Sequence, residues 1–448
     1  VLALFAGAAA AYHYDLGTRW FGAAPDASPT APPVPGLTLP PVPTPRAVAR
    51  PAPAGHPAPL SVRRTLGPAL RDPHLADLRA VVSPLTGPPV LDDGRGTSMP
   101  ASTLKLLTAT AALEALGPDR TFATRVVADG RSRLTLVGGG DPFLTGKRPT
   151  DPAARGVASL QTLAEATARK LKARGVTTVS LAYDTSLFTG PELSPHWPPS
   201  YVTDNEVSPI TPLWVDQGIA PGGQSREADP AASAADLFAA FLRRAGVHVT
   251  GAVDEHPAPA AAREVARVTS LPVADIVEQV LLVSDNEGAE VLARQTGIVV
   301  NGKGSFNGGA AAVQQVLAGL GIDLPGAKIY DGSGLSRDDR LGAESLVSVL
   351  QLAASGDHPE LRSVVTGLPV AAYDGSLEDR FEGSPGRGWV RAKTGTLRGT
   401  SALAGLVTDA RGHPLVFAFV SNHIPLVGTL DARAALDHLA ATLSTCRC

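Results

Sequence analysis

Cysteine is almost absent from this chain of 448 residues: there are two, Cys446 and Cys448, at its far end. A pair two positions apart closes too small a loop to staple a fold, and its number and spacing make no metal site. It is compatible with an oxidising compartment without requiring one. The net charge is only −3, so no broad field of one sign recruits nucleic acid. The ten histidines are scattered without metal-ligand spacing. Neither a metal nor a cofactor is expected. Lysine is scarce, with seven among 39 basic residues, so a pattern that requires lysine is met less cheaply here than usual. Two of the seven fall in such patterns.

At 44 % hydrophobic and 18 % charged, the chain reads as globular, and its length allows a large core and two or three domains. Val1 to Tyr12 is apolar and rich in small residues. It would span roughly 18 Å as a helix, against about 30 Å of bilayer hydrocarbon. Residues 1–20 therefore read as a signal peptide or the remnant of a membrane anchor. Thirteen prolines lie between Pro25 and Pro59, and residues 21–60 read as a stiff, solvated linker. Such a start would hold the folded body away from a membrane.

Beyond the linker, Leu75–Val90 suggests a helix-to-strand transition. Phe122–Val127 and Leu134–Val137 suggest paired strands around Asp129-Gly130. Helical spacing follows over Leu160–Ala173 and Ala232–Ala245, each before a strand-like run. A helix over Val273–Val283 meets Ser284-Asp285-Asn286, and a second over Glu287–Gln295 is expected to stop at Gly297. Towards the end, Trp389–Thr396, Ser401–Val407 and Leu415–Val420 form an antiparallel meander, closed by a helix over Thr429–Leu443. No internal repeat is present.

Three short patterns carry chemistry. Pro100 opens a helix in which Ser102 and Lys105 are one turn apart and share a face. A hydroxyl needs a base within reach to act as a nucleophile, and an amine kept neutral can serve. Ser284 and Asn286 sit in a break between helices, which can aim a hydroxyl and an amide into a cleft. Lys393-Thr394-Gly395-Thr396 lies on a strand, with Lys393 and Gly395 facing one way and the two threonines the other. Gly395 removes a side chain where another backbone or a ligand comes close. Each pattern alone is weak. Ser-x-x-Lys, Ser-Asp-Asn and Lys-Thr-Gly together, in this order and on these elements, are specific. Ser305-Phe306-Asn307 repeats the second pattern in a glycine-rich loop and is set aside. Gly297–Gly304 nearly fits a phosphate-binding loop, but Gly304 replaces the required hydroxyl residue.

On these residues the chain resembles the class C low-molecular-mass penicillin-binding proteins, the D-alanyl-D-alanine carboxypeptidase/endopeptidases of the penicillin-binding-protein-4 type. Gly138–Pro142 and Asp331–Arg337 are also similar to segments of that family. Asp339 and Gly342 stand where the family often has Asn and Thr, and the insert after the nucleophile helix is short for the class. The resemblance implies an α/β (α+β) fold of the penicillin-binding-protein/serine β-lactamase-like transpeptidase type. Its antiparallel sheet is flanked by helices, with an accessory domain inserted. The catalytic domain is then expected over 61–125 and 263–448, and the insert over 126–262.

The resemblance further implies a serine D-Ala-D-Ala carboxypeptidase, with DD-endopeptidase activity also open, acting on peptidoglycan stem peptides outside the cytoplasmic membrane and acylated by β-lactams. Ser102 would be the nucleophile and Lys105 its base, made less basic by burial and by the Lys393 charge. The N–H groups of Ser102 and Thr396 would hold the oxyanion. Ser284 with Lys393 would pass a proton to the leaving amine. Asn286, Lys393, Thr394, Gly395 and Thr396 would bind substrate, the lysine and threonines taking the terminal carboxylate. A serine β-lactamase shares the three patterns, but no Glu-x-x-Leu-Asn segment is present and the insert is long for it. A catalytically inactive cell-wall binder is disfavoured by the intact patterns.

Overall fold

The computed structural model describes residues 55, 57–151, 154 and 156–448. The expected leader over 1–20, and most of the expected linker, lie outside the described residues. The linker's last positions are already structured: α1 (Pro59–Leu66) starts on a proline and buries Val62 and Leu66.

Strand β1 (Leu78–Pro84) follows. The expected helix-to-strand transition over 75–90 contains no helix: 75–77 is turn, 78–84 strand and 85–90 irregular. Ala80, Val81, Val82 and Ser83 are all buried, because neighbours cover β1 on both faces and erase the alternation that marks a half-buried strand. After β2 (Leu91–Asp93) and β3 (Thr97–Ser98), a 3-10 turn over Ala101–Leu104 leads directly into α2 (Lys105–Leu116). Every residue of α2 from Lys105 to Leu113 is buried, so this helix is the axis of the main core.

The chain then builds a second sheet. It comprises β4 (Ala123–Asp129), β5 (Arg133–Val137), α3 (Leu160–Lys172), β6 (Thr178–Asp184), α4 (Pro230–Arg244), β7 (His248–Glu255) and β8 (Arg263–Thr269). Strand order is β7-β6-β5-β4-β8, with β5, β6 and β7 parallel and β4 antiparallel to both its neighbours. The helices start where the sequence caps them: Ser159 accepts from Thr162 N, and Asp229 from Ala232 N with Pro230 behind it. Strand β8 is not evident in the sequence, because only Val265 and Ala266 of its seven residues are buried. It pairs with β4 from Ala123 to Ala128. The expected cut at 125/126 therefore runs through a strand, and this sheet's strands extend from Ala123 to Thr269.

The chain returns through α5 (Val273–Val283), α6 (Asn286–Asn301) and α7 (Phe306–Gly319), then β9 (Leu341–Gly342), which pairs with β3, and α8 (Ala343–Ala354). Helix α6 does not stop at Gly297. A Cβ there would lie 2.4 Å from the Lys303 carbonyl and 2.9 Å from Gly308, so the glycine lets α7 cross α6 closely. Ser305, the set-aside serine, caps α7 by accepting from Gly308 N. Last come β10 (Val390–Leu397), β11 (Thr400–Thr408), β12 (Pro414–Asn422) and α9 (Thr429–Thr445). The meander is as expected, and it is extended: the sheet order is β10-β11-β12-β1-β2, antiparallel throughout. One face packs on α2, α5 and α8; the other carries α9 and α1. Cys446 and Cys448 are joined and buried. No described helix is long and apolar enough to cross a membrane.

Candidate active site

The three patterns, far apart in the chain, meet at the N-terminal end of α2. Lys105 is fully buried, and its Nζ has three partners: Ser102 Oγ at 3.0 Å, Asn286 Oδ1 at 2.8 Å and the Ser333 carbonyl at 2.8 Å. Two of these can only accept. The amide of Asn286 is turned by its own Nδ2, which donates to the Glu206 carbonyl at 2.9 Å. A neutral amine therefore spends its two N–H groups on Asn286 and Ser333 and keeps its lone pair for the Ser102 hydroxyl. Burial is what lowers Lys105, to about 8, against the opposing pull of Asp331, Glu290, Asp285 and Glu287.

The expected push of Lys393 on Lys105 is not what the surroundings produce. Lys393 is itself fully buried, and burial first, then the Lys105 and Arg380 charges, drive its amine well below the usual lysine range. Its Nζ donates to the Thr394 carbonyl at 2.9 Å.

Ser102 sits just after Ala101, whose φ is +48°, and β10 runs against this turn. On β10, the Ala392 N–H donates outward to the Pro369 carbonyl at 3.0 Å. Backbone alternation places the N–H groups of Thr394 and Thr396 on that same outer edge, away from β11. Thr396 is exposed; Thr394 is nearly buried and its Oγ1 donates to Ser376 Oγ at 2.9 Å. Ser284 has φ +62° and closes α5. Its hydroxyl makes no hydrogen bond to Lys105 or Lys393 among the described residues, so the protein alone does not complete the expected proton route.

Several residues at the site went unassigned in the sequence. Glu290 is four residues after Asn286 on α6, and its carboxylate accepts from Gly332 N at 3.0 Å and Ser333 N at 2.8 Å. Asp331 accepts from Gly334 N, Ser336 N and Trp197 Nε1, each at 2.7 Å. These two buried acids fold the loop that offers the Ser333 carbonyl to Lys105. The i, i+4 spacing from Asn286 and the Asp331–Arg337 segment were the available signals. Asp339, which stands where the resembled family often has Asn, is fully buried, and burial together with Asp331 pushes it up to about 10. Its protonated form, which carries a donor as an amide would, is thereby favoured. Ser376 and Gln217 had no signal.

A cleft of about 1480 Å³ is lined by Phe143, Val215, Gln217, Leu237, Leu271 and Leu282 among others, and Ser102 is not part of its wall. Glu114, His358 and Glu360 bring ligand atoms within 4.8 Å of one another at the other end of α2, remote from the serine.

A serine with a buried lysine base, an amide-bearing turn and a sheet edge with free N–H groups defines an active-site-serine acyl-transfer enzyme. Known proteins agree. The family model of the D-Ala-D-Ala carboxypeptidase 3 (S13) family matches residues 62–223 and 222–444. The carboxypeptidase Rv3627c of Mycobacterium tuberculosis is 37 % identical over 88 % of this chain and 86 % of its own length. The D-alanyl-D-alanine carboxypeptidase of Actinomadura sp. is 30 % identical, over 81 % of each chain. Penicillin-binding protein 4 from Haemophilus influenzae shares the fold, with a TM-score of 0.70 at 22 % identity over 85 % of this chain and 98 % of that one. The chain belongs to the S13 family and is a serine-type D-Ala-D-Ala carboxypeptidase.

Proposed function

We propose that Ser102 attacks the carbonyl between the two terminal D-alanines of a peptidoglycan stem peptide. The bonding of Lys105 carries this reading: its two acceptor partners leave one lone pair, directed at Ser102 Oγ. Lys105 removes the Ser102 proton as the Oγ–C bond forms. The oxyanion is held by the backbone N–H groups of Ser102 and Thr396, the latter on the outer edge of β10. Asn286 binds the substrate amide, and Gly395 leaves room for the peptide backbone.

The terminal carboxylate is taken by Lys393, Thr394 and Thr396. An anion arriving beside Lys393 favours the charged form of its amine, which burial disfavours. Ser284, bridging from the bound peptide to Lys393, hands a proton to the departing D-alanine amine. Water then attacks the Ser102 ester, giving a proton to the Lys393 amine left neutral by the first step, and the proton held by Lys105 returns to Ser102 Oγ as the ester breaks. A β-lactam acylates Ser102 by the same attack and deacylates slowly. The same chemistry at a peptide cross-link gives endopeptidase activity.

The apolar start and the proline-rich stretch support a body held on the outer side of the cytoplasmic membrane, with residues 21–60 as the spacer. Residues 126–262, with the strand residues 123–125 and 263–269 that complete their sheet, form the accessory part, and the remainder of the folded chain the catalytic one.

The test is covalent labelling by a fluorescent penicillin, with mass-resolved assay of a muropeptide mixture. Wild-type protein takes the label and releases D-alanine; Ser102→Ala does neither. Labelling that survives Ser102→Ala refutes the assignment, and rapid penicillin turnover without D-alanine release makes the protein a β-lactamase instead.

A further inference from the structure

The turn that delivers Asn286 to Lys105 is gripped from outside the catalytic sheet, at three successive residues. Asp285 accepts twice from Gln217 Nε2, at 2.9 and 2.7 Å. Asn286 Nδ2 donates to the Glu206 carbonyl. Glu287 pairs with Arg226 at 3.0 Å and accepts from Ser208 N at 3.1 Å. Arg226 in turn donates to the Asn205 carbonyl at 3.0 Å and to Ser208 Oγ at 3.3 Å, and Ser208 Oγ donates to the Gln217 carbonyl at 2.6 Å. All the gripping residues lie in 205–226, between β6 and α4.

The backbone of this grip is unusual. Asp216, Gln217 and Gly218 have φ of +49°, +55° and +66°, three left-handed residues in succession, two of them with side chains. Asn205 at +61° and Ser284 at +62° flank the contact. Such conformations are unfavourable for L-residues and persist where surrounding contacts over-determine them, commonly at functional sites. A loop whose only task was to cover an apolar surface would not need to aim one glutamine at one carboxylate by this route.

We propose that Gln217 and Arg226 are positioning residues of the acyl transfer. By fixing Asp285 and Glu287 on either side of Asn286, they hold Asn286 Oδ1 on Lys105, and with it the direction of the lysine lone pair. The second-sheet body is thus a working part of the catalytic centre. The inference rests on the acyl-enzyme reading above and adds residues to it.

The groups facing Lys105 fix the expected pH behaviour. Asp285, Glu287 and Glu290 come from α6, Asp331 from the loop before β9, and Lys393 from β10; Arg226 stands against Glu287, and Arg380 near Lys393. Donation from Gln217 favours the charged form of Asp285, whose burial opposes it. Without Gln217, Asp285 takes up a proton more readily. Lys105 then loses a negative neighbour and sheds its own proton at lower pH.

The experiment measures the second-order rate of acylation by a fluorescent penicillin from pH 6 to 10 on the full chain. It also records labelling stoichiometry and melting temperature for Gln217→Leu, Arg226→Met and Arg226→Lys. The expected result is full final labelling of Gln217→Leu, at a rate at least about tenfold lower and with its acid limb moved to lower pH. Arg226→Met is slowed similarly, and Arg226→Lys recovers part of the rate. Acylation of Gln217→Leu within twofold of wild type and an unmoved acid limb overturn the proposal. So does a loss of rate matched by loss of labelled fraction and of melting temperature, because that makes the contact merely structural. Wild-type protein that takes no label overturns the acyl-enzyme reading itself, and this proposal with it.

Discussion

A Cβ placed on Gly395 would lie 2.9 Å from the Pro100 carbonyl oxygen and 3.3 Å from the Ala101 Cβ. The Lys-Thr-Gly strand and the nucleophile turn thus meet with no room for a side chain between them. Gly395→Val should push β10 off the turn and lower the acylation rate by about a hundredfold, the order expected for a displacement near 1 Å. Labelling kinetics read this directly, and a rate within a few-fold of wild type would show that the strand can yield.

The lysine base makes a pH prediction. On the proposed role of Lys105 as the base, its free amine is the active form, and burial brings its pKa from 10.5 to about 8. Acylation should rise with pH and reach half its maximum near pH 8. At pH 7.5, this leaves roughly two hundred times more free amine than an ordinary lysine would have. An acid limb centred near pH 10 would mean that burial does not act on this group.

Glu290 tests the loop that presents the Ser333 carbonyl. Glu290→Leu leaves the Gly332 and Ser333 N–H groups buried without acceptors. It should cost about 3 kcal/mol of stability and slow acylation as the carbonyl drifts from Lys105. Urea unfolding gives the first quantity and penicillin labelling the second.

Arg294 is a structural counterpart. It is 1 % exposed, donates to the Thr189, Gly304 and Pro191 carbonyls, and stacks 4.3 Å from the Phe306 ring centroid. Arg294→Met should cost about 3 kcal/mol by taking the donor from the Thr189 and Pro191 carbonyls, while that of Gly304 keeps the Thr189 N–H. The change is measured by denaturant titration and should leave the pH dependence of acylation in place.

What the sequence reveals here depends on whether the deciding contact is local. The serine-to-lysine turn, the break before Asn286 and the β10–β12 meander each announce themselves over a few residues, and so does the need for glycine at position 395. The grip of Gln217 on Asp285 spans 68 positions and involves an ordinary residue type, so no local pattern marks it. Strand β1 was obscured because burial on both faces removes alternation, and Gly297 misled because close helix crossing and helix termination favour the same residue. That burial, and not the Lys393 charge, lowers Lys105 follows from its surroundings, which only the fold assembles.

Residues 78–84 occupy an interior place in the catalytic sheet, and their neighbour there is 415–421. A ribosome must therefore release nearly the last strand before the layer can close. Until then α2 has no sheet to pack on, and the first strand has only the short β2 beside it. A protein wired this way tends to stay open while it is being made, the condition in which a polypeptide can be threaded through a narrow pore, and no shortened version ending before β12 should retain a fraction of the activity.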